Sequence, residues 1–451
     1  MENETADIAT QNNSFFGILK DRQALLAYLK SKWADKGFQK YFKNTGWLFS
    51  TKIISLLISF ATTAIVARQL GPGNYGQLSY AISFVGLLSF LYSLGIDNVL
   101  YRDLIKYPEK KNEFLGSAFA IKMVTGILTA IVITISALFF VADDVSLILI
   151  FILSATFIFN SFQVISYEFQ SRVLSKYPSI ISVVIALVLN ILKILVIYLG
   201  KGVIYLAVIL LLESILYAIA YWIIYEAEIG RKVIHWRFNK DVTISLLKDS
   251  WPLIFTGVFA MVYARIDQVF IKHMIDAHAV GIYDSAVRLT EVWYFIPNIV
   301  VASFFPAIVN AKMTSTEVYR GRLIKLALLL LFVSIIIALP VTFLAPFIIK
   351  IIYGAAFAGS AIILQIYIWS NVGTFLSNLA TNYLIAENKR ATLFIFNLIP
   401  MIINVILNLW WIPIYGIVGS AYATLISYSI GPIFLVFIKY DKVIPAIKKY
   451  L

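Results

Sequence analysis

The chain has 451 residues, 61% hydrophobic and only 14% charged, with a formal net charge of +13 and no cysteine. A globular average is roughly half apolar and a quarter charged, so this composition excludes a soluble multidomain protein. The lack of cysteine removes disulfides, thiolate metal sites and cysteine nucleophiles together, and His235, His273 and His278 have no ligand-like spacing, so no metal site is expected.

Residues 1–43 are polar and basic, with no apolar core suited to a cleavable signal peptide. Within them, Leu25, Leu26, Leu29 and Trp33 oppose Lys30, Lys32 and Lys36, the pattern of an amphipathic helix lying in the membrane interface. Apolar runs of about 20 residues follow, each long enough to cross a hydrocarbon core of ~30 Å. They predict twelve transmembrane helices at 46–67, 78–100, 116–140, 145–169, 179–199, 203–225, 250–274, 283–309, 323–344, 361–386, 391–414 and 417–438. The alternating segments of about ten residues that mark a membrane β-barrel are absent. The expected fold is therefore an all-α polytopic membrane protein.

The placement of charge sets an expected orientation. Of the 37 Lys and Arg residues, Arg68, Lys201, Lys272 and Lys350 fall on one side and Lys52, Lys122, Lys193, Arg265 and Arg288 fall inside spans. All the others lie on the side of the amino terminus. By the positive-inside rule that side is cytoplasmic and both termini face it. A basic surface of this kind faces the membrane, and no nucleic-acid partner is expected.

An internal repeat divides the chain. GNYGQLSYA after the first span answers AVGIYDSA after the seventh, matching Gly76 with Gly281 and Ala81 with Ala286. Asn190 likewise matches Asn404, and Gly202 matches Gly416. The halves are an N-lobe (44–225) and a C-lobe (249–438), joined by a cytoplasmic linker (226–248) and followed by a basic tail (439–451). Each half crosses an even number of times, so the lobes share one orientation and the expected pseudo-symmetry axis lies along the membrane normal, with substrate between the lobes.

Charges within spans are costly and usually face protein or water. Lys52 and Lys122 lie ~10 Å from the cytoplasmic ends of their helices, close enough to snorkel, so snorkelling and cavity lining are equal readings for them. Arg265 lies ~20 Å inside its helix, beyond snorkelling reach. Asp284, Arg288 and Glu291 recur along one face of the next helix, where Arg265 or Asp267 could partner them. Either a polar lumen or a buried structural network would use such a stripe. Lys193 and Glu213, on consecutive helices, are expected to form a structural pair.

Uncharged stripes run along Lys52, Ser55, Ser59 and Thr62, along Asn160, Gln163, Tyr167 and Gln170, and along Asn371, Thr374, Asn378 and Thr381, all at helical spacing. Interhelical hydrogen bonding is the alternative to cavity lining. Trp293, beside the charged stripe and before the kinking Pro297, is placed to stack on a sugar, whereas most other tryptophans read as interface anchors. Catalytic signals are weak. Asp143–Asp144 on a short outer turn reads as a solvated pair more readily than as a metal-binding one, and no nucleotide or Ser/His/Asp motif is present.

Three segments, WLFSTKIISLLISFATTAIVARQLGPGNYGQLSYA, LGIDNVLYRDLIKYPEKKNEFLGSAFAIK and IIYGAAFAGSAIILQI, resemble the polysaccharide-transporter (Wzx-type O-antigen flippase) branch of the multidrug/oligosaccharidyl-lipid/polysaccharide (MOP) exporter superfamily, over roughly residues 47–439. The resemblance implies a MATE-like bundle of two six-helix lobes in a bacterial inner membrane. It further implies that an undecaprenyl-pyrophosphate-linked oligosaccharide crosses by alternating access through a cationic cavity, unchanged chemically and without a cofactor. A proton or Na⁺ gradient would drive transport, and membrane lipids and polysaccharide polymerase machinery would be the partners. On this reading Arg265, Arg288, Lys52 and Lys122 contact the anionic group, and Asp267, Glu291 and Asp284 tune those cations or carry the coupling ion. Trp293, Asn160, Gln163, Asn371 and Asn378 contact sugar. Lys52, with no acid in the first span, departs from drug-exporting relatives, and twelve spans rather than fourteen depart from lipid II flippases. The alternatives are a MATE-like exporter of small amphiphilic or cationic compounds, and a membrane glycosyltransferase or polymerase, for which the outer loops are short.

Overall fold

The computed structural model describes residues 36–230 and 235–438, and every regular element among them is helical. The predicted interfacial segment falls almost wholly outside these residues, as does the basic tail. Ten helical segments are long and apolar enough to cross a membrane: α1 (Ser50–Lys106), α2 (Pro108–Phe140), α3 (Asp144–Ser171), α4 (Lys176–Tyr198), α5 (Val203–Ile229), α6 (Leu253–Met274), α7 (Ala277–Met313), α8 (Thr316–Ile352), α9 (Ser360–Ala386) and α10 (Arg390–Ile433). Large apolar side chains face outward, with Phe139 82% and Phe343 78% exposed. Such surfaces are stable only against lipid.

Two segments exceed a single crossing. The 57 residues of α1 would extend ~85 Å as one straight helix, nearly three hydrocarbon thicknesses. The helix breaks at Gly71 (φ 70°, ψ 169°), where glycine enters a positive φ without a Cβ penalty and the following Pro72 disfavours helical backbone. α10 breaks in the same way at Gly416 (φ 60°, ψ −145°). Each therefore holds two of the predicted spans, one on either side of its glycine. In α7 a 3₁₀ turn at Val292–Tyr294 immediately precedes Pro297, whose ring crowds the Trp293 carbonyl and provides no N–H for it. The expected kink is located there.

The lobes meet where the second arm of α1 crosses the start of α7. A Cβ built on Gly76 would stand 1.7 Å from the Ala277 carbonyl oxygen, and one on Gly281 2.0 Å from that of Pro72. Pro72 and Ala277 each sit four residues before the glycine of their own lobe, so the two contacts are reciprocal. This is the pseudo-twofold relation inferred from the repeat, realised as backbone touching backbone. α6 also packs along the second arm of α1.

The lobes touch at the other end as well, where Arg102 donates to Asp249 (2.5 Å) and a Cβ on Gly95 would stand 2.5 Å from that of Leu253, but the first arm of α1 and the later half of α7 pack within their own lobes. In the turns leading into the first arm, Asn44 Oδ1 accepts from the Ser175 N–H at the head of α4 (2.7 Å). The later half of α7 is tied to α9 by Asn378 Nδ2 donating to Asn298 Oδ1 (2.7 Å), and to the residue after it by Lys312 donating to Glu387 (2.9 Å). The end of the linker is fixed as well. Asn239 caps the helix that runs on into α6, its side chain accepting from the Asp241 and Val242 N–H groups, and its own amide donates to Glu113 at the head of α2 (2.5 Å).

Because no side chain fits between these backbones, Gly281→Ala should force the crossing apart, an overpacking cost of about 1–3 kcal/mol. In a chain without native cysteine, a Ser79→Cys reporter beside the crossing should then react faster with a maleimide than in the Gly281 parent. Equal rates would refute the crossing.

Candidate functional site: an interlobe charged seam

Three helical faces converge beyond the glycines. The second arm of α1 presents Tyr75, Ser79 and Ser83 at successive turns, α7 presents Asp284, Arg288 and Glu291, and α6 presents Arg265, Gln268 and Lys272. Asp284 is fully buried. It accepts hydrogen bonds from the Tyr75 hydroxyl (2.6 Å), the Ser79 hydroxyl (2.9 Å), Gln268 Nε2 (2.9 Å) and Arg288 Nε (3.3 Å). Ser83 donates to Gln268 Oε1 (2.5 Å), which leaves the Gln268 amide hydrogens turned to Asp284. An ionised carboxylate taken from water costs several kcal/mol, and charge-assisted hydrogen bonds return about 1.5–3 kcal/mol each. Two of these donors belong to the opposite lobe, so the solvation of Asp284 depends on the lobes being together.

Weaker contacts surround this centre at the same end. Tyr80 OH meets His273 Nε2 at 3.1 Å, Lys272 Nζ meets Asp143 at 2.9 Å, and Arg68 donates to the Ile351 carbonyl at 3.2 Å. Asp143 also caps α3 by accepting from the Ser146 N–H. Burial pushes its carboxyl up, but the hydrogen bonds from Ser146 and Lys272 outweigh burial and hold it below the usual carboxylate range. The acidic turn is thus a helix cap and an interlobe tie.

The two seam arginines are paired without being saturated. Arg265 Nη1 lies 3.9 Å from Glu291, beyond hydrogen-bond length, and has no hydrogen-bond partner among the described residues. Its stem passes 3.8 Å from the Cβ position of Gly86, so it reaches across to the N-lobe. Arg288 bonds Asp284 through Nε. Their side chains are 21% and 29% exposed. Of the five N–H donors on each guanidinium, most remain available, with the acids orienting the planes and lowering the cost of holding them at depth.

Asp267 turns away from this seam. Only 2% exposed, it accepts from the Tyr283 hydroxyl (2.6 Å) and the Gln268 N–H (2.8 Å) inside the C-lobe. Tyr283 lies 3.4 Å from Thr424 Oγ1, to which Asn404 donates, and Ser420 donates to Asn408 (2.6 Å). The arrangement is one carboxylate tied through Tyr283 to a chain of neutral hydroxyl and amide groups. No group of three or more His, Asp or Glu that could hold a metal occurs among the described residues.

The remaining expected residues are dispersed. Lys122 is fully buried and lies 2.6 Å from Asp97 and 4.6 Å from the centre of the Tyr92 ring. It neither snorkels nor offers a cation to a cavity. Lys193 and Glu213 form the expected pair at 3.3 Å. Lys52 is exposed on the first arm of α1 with no ion-pair partner among the described residues. Asn160 and Gln163 are half-buried at a 3₁₀ turn of α3 in the N-lobe. Trp293 packs on the apolar cluster of Val301, Leu330 and Phe375. Asn371 is fully buried, with neither amide atom hydrogen-bonded. Asn378 lines a cavity of about 260 Å³ between α6, α9 and α10.

Tyr75, Ser79, Ser83 and Gln268 were not anticipated. Their signal was present, since the first three fall on one helical face in the segment that repeats α7, but neutral hydroxyls do not stand out beside charges.

Two lobes of membrane helices packed against each other in this way have the fold of the MOP superfamily transporters. Solved structures share it: an inward-facing multidrug resistance MATE family transporter (TM-score 0.71, 14% identity, covering 87% of this chain and 96% of that one) and the lipid II flippase MurJ in an inward closed conformation (TM-score 0.71, 19% identity, covering 88% and 87%). An outward-facing MATE transporter aligns with a TM-score of 0.57 at 14% identity, over 92% of this chain and 99% of that one. Within that class, the family model described as polysaccharide biosynthesis protein matches residues 41–312, more than half of the chain, which therefore belongs to that family. A curated relative, the probable flippase AglR of Haloferax volcanii, is 26% identical over 179 residues, 39% of this chain and 38% of that protein.

The Lys122–Asp97 pair is testable. Asp97→Leu alone should destabilise the protein by about 3–5 kcal/mol, because it strands a buried ammonium. Adding Lys122→Met should recover most of the loss in thermal melts of the purified protein. If the double variant melts no higher than the single, the pair is not the cause.

Proposed function

We propose that this protein is a flippase for a lipid-linked oligosaccharide, moving an undecaprenyl-pyrophosphate-linked surface-polysaccharide unit, of the O-antigen type, from the cytoplasmic to the outer leaflet of a bacterial inner membrane. The observation that carries this reading is the seam, where two arginines with unused donors stand between the two lobes. A pyrophosphate presents clustered anionic oxygens, which guanidinium groups bind bidentately. Family membership and the flippase names among the similar proteins agree with it.

With the basic loops cytoplasmic, the Gly76–Gly281 crossing is at the outer end and the conformation is inward-facing. The separate flanks, the first arm of α1 and the later half of α7, then border a cytoplasmic side opening through which the polyprenyl tail remains in lipid. Phosphate bound by Arg288 competes with Asp284 for the same guanidinium. Weakening that bond loosens a centre whose donors come from both lobes, so cargo favours parting of the outer end, and the lobes rock about the site. Asp267, held by Tyr283, the residue before Asp284, carries the coupling H⁺ or Na⁺ on this reading. Neutralising a buried carboxylate relieves its desolvation cost, and Asn404, Asn408 and Thr424 provide oxygens suited to a hard cation. A MATE-like exporter of organic cations would instead gather free acids on the cavity wall, whereas Glu291 and Asp284 both face arginines.

In vesicles loaded with extracted lipid-linked oligosaccharide, Arg265→Ala and Arg288→Ala should each lower outer-leaflet appearance at least tenfold while membrane insertion is unchanged. Normal transport by both variants would refute the site, and failure of the wild type would refute the function. Asp267→Asn should abolish the response of the rate to an imposed proton or Na⁺ gradient. A gradient response equal to that of the wild type would remove Asp267 from coupling.

A further inference from the structure

Beside the seam, the cavity of about 260 Å³ between α6, α9 and α10 has a chemistry of its own. None of the side chains lining it is charged. Its amides are anchored alike. Asn382 Nδ2 donates to the Asn378 carbonyl (2.9 Å), Asn397 Nδ2 to the Leu393 carbonyl (2.8 Å), and Asn378 Nδ2 to Asn298 Oδ1 (2.7 Å). Each carboxamide has spent one of its two N–H donors on the protein, and Asn378 Oδ1 is buried with no partner among the described residues. The wall therefore offers neutral amide donors and acceptors together, supplemented by the hydroxyls of Ser377 and Thr381.

Aromatic faces complete it. Tyr263 and Tyr428 pack with ring centres 4.2 Å apart, and Phe396, only 3% exposed, also lines the cavity. Neutral donors and acceptors beside aromatic surface match a ring that carries hydroxyls on its edge and C–H groups on its face. A phosphate finds no cation here, and an organic cation finds no carboxylate. The volume is below the roughly 300–1,000 Å³ of pockets that enclose drug-sized ligands, and it suits a single sugar ring. Tyr263 is two residues before Arg265 on α6, a rise of about 3 Å along the axis, so the cavity and the seam lie at one depth on different faces of that helix.

We infer that this C-lobe cavity is a saccharide subsite for one uncharged sugar of the cargo, read through its hydroxyl groups by Asn378, Asn382 and Asn397 and stacked by Tyr428. The inference rests on the flippase reading and adds a specificity element to it. The cargo would be a glycan with a neutral sugar near its lipid phosphate, and the C-lobe would carry that recognition.

The native chain has no cysteine, so Ser377→Cys places a single thiol in the cavity wall. Its maleimide reaction would be timed in vesicles with extracted lipid-linked oligosaccharide, with the same polyprenyl pyrophosphate stripped of sugar, and with tetraphenylphosphonium as an organic cation. The glycan-bearing lipid should slow labelling at least fivefold and the stripped lipid should not. Asn397→Leu added to the Ser377→Cys protein should raise the half-protecting concentration tenfold or more. Equal protection by the stripped lipid, or protection by the phosphonium alone, overturns the subsite. So does absence of protection in vesicles where the unsubstituted protein still flips the glycan-bearing lipid. Vesicles in which the unsubstituted protein flips nothing overturn the functional reading itself, and the subsite with it.

Discussion

One carboxylate holds the arrangement together. Asp284 sits where two helices from different lobes touch backbone to backbone, and its ionised form is stable there only because donors reach it from both sides. The crossing needs glycine at both positions, since either Cβ would enter the opposite carbonyl. The carboxylate needs the crossing, since parting the lobes removes Tyr75 and Ser79. Geometry and electrostatics therefore impose the same condition on this end of the molecule. At the other end the lobes meet again through Arg102, which bridges Asp103 and Asp249, while the first arm of α1 and the later half of α7 follow their own lobes.

Charges elsewhere divide by lobe. In the N-lobe, Lys122 with Asp97 and Lys193 with Glu213 are close pairs that neutralise each other, and breaking such a pair is costly whatever passes through the protein. In the C-lobe the seam pairs, 3.9 Å for Arg265 and 3.3 Å for Arg288, leave guanidinium donors unused. A neutralised ammonium pair is a finished structural unit, whereas a half-used guanidinium retains capacity for another anion. The amide cavity differs again, because it holds neutral donors and acceptors and no charge. Cation-rich seam and neutral cavity lie at one depth on different faces of α6.

Much of this was legible in the sequence because hydrocarbon imposes a simple code of apolar runs and basic loops. The spans, the repeat and the face shared by Asp284, Arg288 and Glu291 follow from spacing along the chain, and the Lys193–Glu213 pair from similar depth on consecutive helices. What could not be read is most of what else lies across helices. The partner of Lys122 is Asp97, next to a glycine break that ends one helical stretch and begins another, so helical periodicity gave no register between them. Asp267 and Arg265 are two residues apart yet face different surroundings, one into the C-lobe and one across to Gly86. Trp293 is adjacent to the charged stripe in sequence but turns to an apolar cluster because the 3₁₀ turn rotates the helix there. How each amide of the cavity is anchored depended on which carbonyl its N–H meets, which only coordinates reveal.

Ser79 and Asp284 occupy the same place in the two halves, each three residues after the glycine of the crossing, and they are bonded to each other. Had the two halves been identical subunits, the axis would have carried either two serines or two aspartates. Two serines provide no ion to hold, and two buried carboxylates side by side repel strongly at low dielectric. A single acid facing a hydroxyl on a twofold axis is open only to halves that differ in sequence. Divergence of the two halves is therefore a chemical requirement of this clasp, and two copies of either half could not reproduce it.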